Sequence, residues 1–225
     1  MDFLAVYEAM VTCGGTPSFA ARVKEMRQHF EERTGSFGPD DPWFEVRSRA
    51  FWDDALTTQG FAATVAPALA ASAQEPARNW ALPLARAHRG LFRAERNEGG
   101  WRLVDLWSGA EFVVIVSDPG LEEALGAAAV LDGRVVARAA PLEIALLPGA
   151  LFHPADATEP IAHVLEAARE RAMPTCDALD ALLRMERNLR SHSRVKASYA
   201  YRAENLASGQ PAAPRVRSPS RPRPR

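Results

Sequence analysis

The stretch GGWRLVDLWSGAEFVVIV, residues 99–116, decides which fold we predict for this chain. Two runs rich in aromatic and β-branched residues flank a Ser-Gly corner, and this arrangement is typical of a β-hairpin. In the first run Trp101 and Leu103 share one face, while Val104 and Leu106 share the other. Because both faces are partly apolar, we expect helices to cover one side of the sheet.

Asp105 is the lone aspartate of this stretch. One interpretation is a catalytic acid, since a carboxylate at the end of a strand can carry a proton. An aspartate beside a turn more often accepts hydrogen bonds from backbone amides. We therefore expect Asp105 to stabilise the turn.

Further strand-like runs surround the hairpin, and a small antiparallel sheet or barrel buries such short strands most economically. The runs are 90–96, 100–107, 110–116, 128–131, 134–139 and 141–147, with a short helical excursion over 117–126 and a turn at Asp132-Gly133.

On either side of the sheet the apolar residues recur at helical spacing. The last residues are rich in Arg and Pro and contain almost no large apolar side chain, which predicts disorder. The sequence therefore predicts an α+β fold in four parts. These are a helical region over 1–89, an antiparallel β module over 90–153, C-terminal helices over 154–206 and a disordered tail over 207–225.

One N-terminal helix is predicted to start with Asp41 as its N-cap and Pro42 at its first position. Its aromatic residues do not share one face, so the helix is either buried between two layers or exposes aromatic surface to a partner. Aromatic side chains supply much of the binding energy of protein interfaces. The candidate partner-binding residues are Trp43, Phe44, Phe51 and Trp52.

The segments GGWRLVDLWSGAEFVV and ARAAPLEIALLPGALFHP, at 99–114 and 137–154, carry a resemblance. They resemble a small β module of uncharacterised bacterial proteins, some of which also carry a SEC-C zinc motif. The Cys/His zinc motif itself is missing here. The resemblance implies a β module, and it implies neither a metal site nor an activity.

A metal site can be drawn from His153, Asp156 and His163, because histidines and carboxylates are common metal ligands. The solvent-exposed face of an amphipathic helix contains the same residue types, and this is the simpler interpretation. Cys13 and Cys176 do not have the spacing of a metal-binding motif. We therefore expect neither a metal nor another cofactor.

Charge is unevenly distributed along the chain, although the net charge is −1. Residues 184–225 carry 11 Lys/Arg and 2 Glu, so the other 183 residues carry a net charge of −10. A basic end on an acidic body suits an acidic protein surface or the phosphates of nucleic acid. The candidate basic contacts are Arg190, Arg194, Lys196 and Arg202.

The sequence contains no P-loop, dinucleotide-binding, nucleophile-elbow or zinc-protease motif. We predict a non-enzymatic regulatory or adaptor protein that binds another protein, whether to inhibit or to sequester it. One alternative is a nucleic-acid-binding protein that uses the β module and the basic segment, and another is a metal-dependent enzyme. With no leader and no apolar run of membrane-spanning length, we expect a cytoplasmic protein without membrane insertion.

Overall fold

The computed structural model of the protein describes residues 3–98, 100–116, 118–127, 130–139, 142–192 and 195–207. Within them, helices precede and follow an antiparallel sheet, so the predicted α+β class is confirmed. Arg194 and the predicted disorder from residue 208 onward lie outside the described residues. No helix in the described ranges is long and apolar enough to cross a membrane.

Helices form the N-terminal part of the protein. They are α1 Phe3–Gly14, α2 Ala20–Thr34, α3 Phe44–Leu56, α4 Phe61–Val65 and α5 Ala71–Leu84, with 3-10 turns at Pro17–Phe19 and Ala66–Ala68. Gly35 ends α2 with a φ of +95°, a conformation that glycine adopts without steric cost. These helices enclose a core rich in aromatic residues, to which Phe30, Phe51 and Trp80 belong.

The start of α3 differs from the prediction, because Asp41 is not its N-cap. The Asp41 carboxylate accepts a hydrogen bond from the Gly38 amide at 2.8 Å. Its carbonyl accepts another from the Phe44 amide at 2.9 Å. The two bonds close a turn, so the helix begins at Phe44, after Pro42 rather than at it.

The sheet contains the predicted hairpin, which lies at one end of its strand order rather than at its centre. Its strands within the described residues are β1 His88–Asn97, β2 Gly100–Asp105, β3 Glu111–Val114, β4 Val130–Ala139, β5 Leu142–Leu146 and β6 Leu151–His153. They lie in the order β3-β2-β1-β4-β5, all antiparallel, and β6 pairs with β4. Trp101 lies opposite Val114 and Leu103 opposite Phe112, which confirms the pairing across the Ser-Gly corner.

The turn predicted at Asp132-Gly133 is wrong. β4 runs through both residues, which lie opposite Leu91 and Gly90 of β1. Arg89 donates to the Asp132 carboxylate from Nε at 3.2 Å and from Nη2 at 2.9 Å. This pairing stabilises Asp132 inside a strand, although aspartate generally favours turns.

The sheet curls until its first and last strands meet. The Ile115 amide donates to the Ile144 carbonyl at 2.9 Å, beside a parallel bridge between Ile115 and Ala145. The helix α6, Pro119–Ala127, connects β3 to β4 and packs Leu121 and Leu125 into the core inside the curl. The sheet is therefore an antiparallel half-barrel with its own apolar interior.

The C-terminal helices cover another part of the sheet. They are α7 Thr158–Glu170, α8 Thr175–Ser191 and α9 Ala197–Ala200, with 3-10 turns at Ala155–Ala157 and Ala203–Ala207. Leu91 of β1 packs into their core, whereas Val136 of β4 and Ala145 of β5 pack into the core of the N-terminal helices. The outer side of the half-barrel is therefore shared between two helical layers.

A chain of ion pairs crosses the junction of these layers. It alternates, in order, Arg134, Asp54, Arg33, Asp180, Arg89 and Asp132, with N···O distances of 2.6–2.9 Å. Burial alone would raise the pKa of the Asp54 carboxyl, but Arg134 and Arg33 outweigh burial and lower it. Burial alone would lower the pKa of Arg89, but the carboxylates of Asp132 and Asp180 outweigh burial and raise it. The charges of all six groups therefore balance inside the protein.

Replacing Asp180 with alanine should destabilise the protein by about 3 kcal/mol or more, because Arg33 and the buried Arg89 lose the carboxylate that they share. Urea denaturation followed by circular dichroism measures this loss. Glu25→Ala is the matched control, since Glu25 pairs with Arg22 in solvent and should cost less than about 1 kcal/mol. Equal, small losses in the two variants would contradict a structural role for the chain of ion pairs.

Candidate functional site

A small pocket brings together one of the aromatic residues predicted to bind a partner and one residue of the predicted basic segment. We call it the Trp43 pocket. Its volume is about 130 Å³, and its wall includes Trp43, Val46, Arg47, Leu151, Glu186 and Arg190. The first three come from the start of α3, Leu151 comes from β6, and the last two come from α8. A predicted aromatic contact and a predicted basic contact therefore meet at one site.

The turn before α3 positions the aromatic side of this pocket. Because the helix begins at Phe44, Trp43 and Arg47 lie one helical turn apart and project from the same face. Val46, next to Arg47, is 44% exposed. Arg47 is fully buried, so an apolar side chain lies at the outer side of the pocket and a guanidinium lies deeper in it.

Glu186 lies between two guanidinium groups. Arg47 Nη2 donates to the Glu186 carboxylate at 3.0 Å and to the Leu183 carbonyl at 2.7 Å. Arg190 Nε donates to the other oxygen of Glu186. Burial lowers the pKa of Arg47, and the negative charge of Glu186 opposes this effect. With two arginines and one glutamate, the charged groups of the pocket sum to +1.

Two N–H groups of the wall residues lack an acceptor among the residues that the structure describes. They are Trp43 Nε1 and Arg47 Nε, and both atoms are shielded from solvent. A buried donor without a partner costs about 1–3 kcal/mol. An entering group that accepts hydrogen bonds would recover this energy, provided that the side chains of the wall move apart to admit it.

The other three aromatic candidates lie against the core. Phe51 is 3% exposed and belongs to the aromatic core of the N-terminal helices. Phe44 and Trp52 are half-buried and pack against the same core. A Cβ on Gly14 would lie 3.1 Å from the Trp52 ring, so α1 fits closely around it. Phe51 is therefore a core residue and not a partner contact, which corrects the prediction for this residue. Of the four aromatic candidates, Trp43 is the one that lines the Trp43 pocket.

The structure does not gather the three metal candidates. His153 is buried on β6, with Nδ1 2.7 Å from the Tyr201 hydroxyl. Asp156 is exposed, and His163 lines a separate groove. No group of three or more His, Cys, Asp or Glu residues that could hold a metal occurs in the described part of the chain. Burial lowers the pKa of His153, which favours a neutral imidazole in the folded protein.

That separate groove lies between α7 and residues 198–205, and we call it the α7 groove. Its volume is about 650 Å³, and its lining includes Glu159, His163, Tyr201, Arg202, Glu204 and Asn205. It contains Arg202, one of the predicted basic contacts. Lys196 is exposed nearby in sequence, and Arg194 lies outside the described residues.

The charged side chains that β1, β2 and β3 share on one face of the sheet offer little attraction to nucleic acid. Arg93 donates to Glu95 at 3.1 Å, and Arg102 donates to Glu111 at 2.6 Å and to Glu95 at 3.0 Å. Paired in this way, two arginines and two glutamates leave no net positive charge for phosphates. This part of the nucleic-acid alternative gains no support from the geometry.

Asp105 has the structural role expected from the sequence. Its carboxylate accepts hydrogen bonds from the Trp107 amide at 3.0 Å and from the Ser108 hydroxyl at 2.5 Å. His88 Nε2 lies 3.0 Å from the same carboxylate. These contacts fix the turn between β2 and β3.

Asp53, next to the ion-paired Asp54, is a fully buried acid. Tyr7 donates to it at 2.7 Å and the Gly149 amide at 2.9 Å. Gly149 is required here, since a Cβ would lie 2.4 Å from the Arg49 carbonyl oxygen. Burial raises the pKa of Asp53 to about 7. Asp53 therefore joins α3 to α1 and to the turn that follows β5.

Sequence reasoning missed Arg47, although a signal was present. Arg47 follows Phe44 by three residues and precedes Phe51 by four, which places it on the same helix face as these two aromatic residues. A buried arginine requires an acceptor from another element. The identity of that acceptor, Glu186, could not be read from a single sequence.

Comparison of the chain with protein-family models, with curated proteins and with solved structures finds no match in any of the three. The resemblance of the β module to proteins that carry a SEC-C motif therefore stays a prediction.

The raised pKa of Asp53 predicts that its contribution to stability falls as pH rises. Between about pH 4 and pH 7 the folded protein keeps a proton that the unfolded chain has released, because the folded pKa of about 7 lies above the ordinary value of 3.8. The free energy of unfolding of the Asp53→Asn variant, relative to wild type, should therefore rise with pH across this window.

Urea denaturation of both proteins at pH 4.5, 6 and 8 measures this difference. Taking the difference between the two proteins removes the contributions of Asp54 and His153, which are present in both. Glu8→Asn, a change at an exposed acid of α1, is the control and should show no such trend. A difference for Asp53→Asn that stays constant with pH would contradict the raised pKa.

Proposed function

We propose that this protein is a non-enzymatic regulator or adaptor that binds another protein, and that the Trp43 pocket receives an acidic side chain of that partner. The proposal rests on one observation. Trp43 and Val46, which are partly exposed, and two arginines line a small cavity, and two of these lining residues, Trp43 and Arg47, each hold a shielded N–H group without an acceptor among the described residues.

The volume of the pocket suits one small side chain. Its volume of about 130 Å³ is well below the roughly 300–1,000 Å³ of typical ligand pockets. An aspartate side chain has only four non-hydrogen atoms beyond Cα, and the end of a glutamate is equally large. A carboxylate would supply acceptors for Trp43 Nε1 and Arg47 Nε, and its charge would be complemented by Arg190.

The surroundings of the pocket suit a protein partner better than a free ion. Val46 is exposed beside Trp43, and interface energy concentrates where aromatic and apolar groups surround a filled pocket. Arg190 is the most exposed charged group of the wall, with 41% of its side chain accessible. Interfaces commonly change side-chain rotamers when they form, and such a change at Arg190 would open the way to the two shielded donors.

A photo-crosslinking amino acid at position 46 tests this proposal in the cells that make the protein. We expect p-benzoyl-phenylalanine at position 46 to capture a discrete protein, because this position borders the pocket. The same group at position 82, in place of a leucine of α5 that is 60% exposed, is the matched control. Capture at both positions alike, or at neither, would contradict binding through the Trp43 pocket.

The captured protein is then purified and its affinity is measured by calorimetry. Val46→Asp and Arg190→Gln should each weaken binding about tenfold or more, through like-charge repulsion and loss of the complementary charge. Leu82→Asp should leave the affinity unchanged. Circular dichroism and a thermal melt of each variant separate a loss of binding from a loss of folding.

A further inference from the structure

Helix α7 presents a row of carboxylates to solvent. Glu159, Glu166 and Glu170 lie on its exposed face, Asp156 precedes them, and Glu204 lies across the α7 groove. None of these five acids forms an ion pair with another described residue, in contrast to the carboxylates of the buried chain. This face therefore carries uncompensated negative charge.

The α7 groove is large enough to hold part of a polypeptide. Its volume of about 650 Å³ lies within the range of typical ligand pockets. Glu159 and Glu204 line it, and Arg202 is the opposing cation in its wall. Arg202 Nε donates to the Ser198 carbonyl at 3.3 Å, and its guanidinium lies 4.8 Å from the centroid of the Tyr199 ring. The Arg202 guanidinium is therefore positioned by the Ser198 carbonyl and the Tyr199 ring rather than by a carboxylate of the groove.

The described chain ends beside this groove. Residues Ala203–Ala207 form the last 3-10 turn, and three of them line the groove. The segment that follows, 208–225, contains five arginines and no acid. A strongly basic part of the sequence thus begins next to a groove whose carboxylates form no ion pair with another described residue.

We propose that segment 208–225 of the same chain binds in the α7 groove, with its arginines paired to Glu159, Glu204 and the neighbouring carboxylates of α7. The lengths are compatible. At about 3.1 Å per residue in the polyproline II conformation, residues 215–225 span about 31 Å. At about 1.5 Å per residue, Glu159 to Glu170 span about 16 Å along the helix. Two or three arginines can therefore reach the acidic face at once.

This arrangement limits what the basic segment does elsewhere. Arginines that are paired with the groove cannot bind phosphates or acidic proteins at the same time. Such a partner must first compete with the carboxylates of the groove for these arginines. The groove in turn is closed to other basic peptides. The proposal is independent of the Trp43 pocket, which lies at other residues of the protein.

A zero-length carbodiimide crosslinker tests the proposal on the full chain, because it joins an amine directly to a carboxylate. The chain contains two lysines, Lys24 and Lys196, so an Arg221→Lys variant adds one new amine in the segment. Mass spectrometry then maps its crosslinks. We expect links within one chain to Glu159 or Glu204, reduced several-fold in 0.5 M NaCl by screening. Links from Lys24 provide the internal reference.

Variants of the acidic residues provide the matched comparison. Glu159→Gln together with Glu204→Gln should remove most crosslinks of the new lysine, whereas Glu8→Gln together with Glu75→Gln, at exposed sites on α1 and α5, should not. Crosslinks that spread evenly over Glu8, Glu75 and the groove would overturn the proposal. Crosslinks that join two chains and grow with protein concentration would also overturn it, in favour of a contact between copies.

A second measurement uses the segment as a separate peptide. The peptide 208–225 is titrated into a full-length chain in which the five arginines of the segment are replaced with glutamine. Binding should occur at low salt and weaken about fivefold with Glu159→Gln and Glu204→Gln, as expected for two partly exposed ion pairs. A peptide with glutamine at its five arginines should not bind. Absence of binding by the natural peptide at low salt overturns the proposal even if the chain folds normally.

Discussion

The alternating chain of ion pairs from Arg134 to Asp132 fixes how the layers of this protein meet. Its six groups come from α2, α3, α8, β1 and β4, so the N-terminal helices, the half-barrel and the C-terminal helices each contribute charge to it. A buried ion is tolerated only beside its counter-ion. Sliding one layer against another would separate Asp54 from Arg134 or Asp180 from Arg89 and leave buried charges without a counter-ion, which disfavours any other register of the layers.

Apolar contacts alone would define the relative position of the helical layers and the half-barrel less strictly. The three cores hold mostly Leu, Val, Ala and aromatic side chains, which can repack at modest cost. Asp53 adds a second directional contact, because its carboxylate binds both Tyr7 of α1 and the backbone amide of Gly149. The close approach of Gly149 to the Arg49 carbonyl allows no larger residue. Polar groups in the interior thus fix the geometry, while apolar burial supplies most of the stability.

The sequence could predict features that depend on local pattern. The hairpin at Trp101–Val114 follows from alternation around Ser-Gly, and the role of Asp105 follows from its place beside that turn. Features that depend on distant partners could not be predicted. Asp132 was assigned to a turn because nothing in sequence links it to Arg89, 43 residues away. The sequence indicates that the aromatic residues near the start of α3 are contact residues, but it does not show what each of them contacts. Only the fold places Phe51 in the core and brings Trp43 and Arg190 into the wall of one pocket.

The partition of charge links the two proposals. Within the folded body the arginines at 33, 47, 89 and 134 are matched to carboxylates of the interior, so the surplus acids of the body lie outside, as on α7. A tethered segment reaches such a surface at an effective concentration on the order of millimolar. If the arginines of 208–225 pair with the α7 groove as proposed, general attraction to acidic proteins would be reduced. The positive charge at Arg190 is then presented together with Trp43 and Val46. Recognition of a partner would therefore depend on the shape and hydrogen bonding of that pocket, because diffuse charge steers encounter but discriminates poorly between partners.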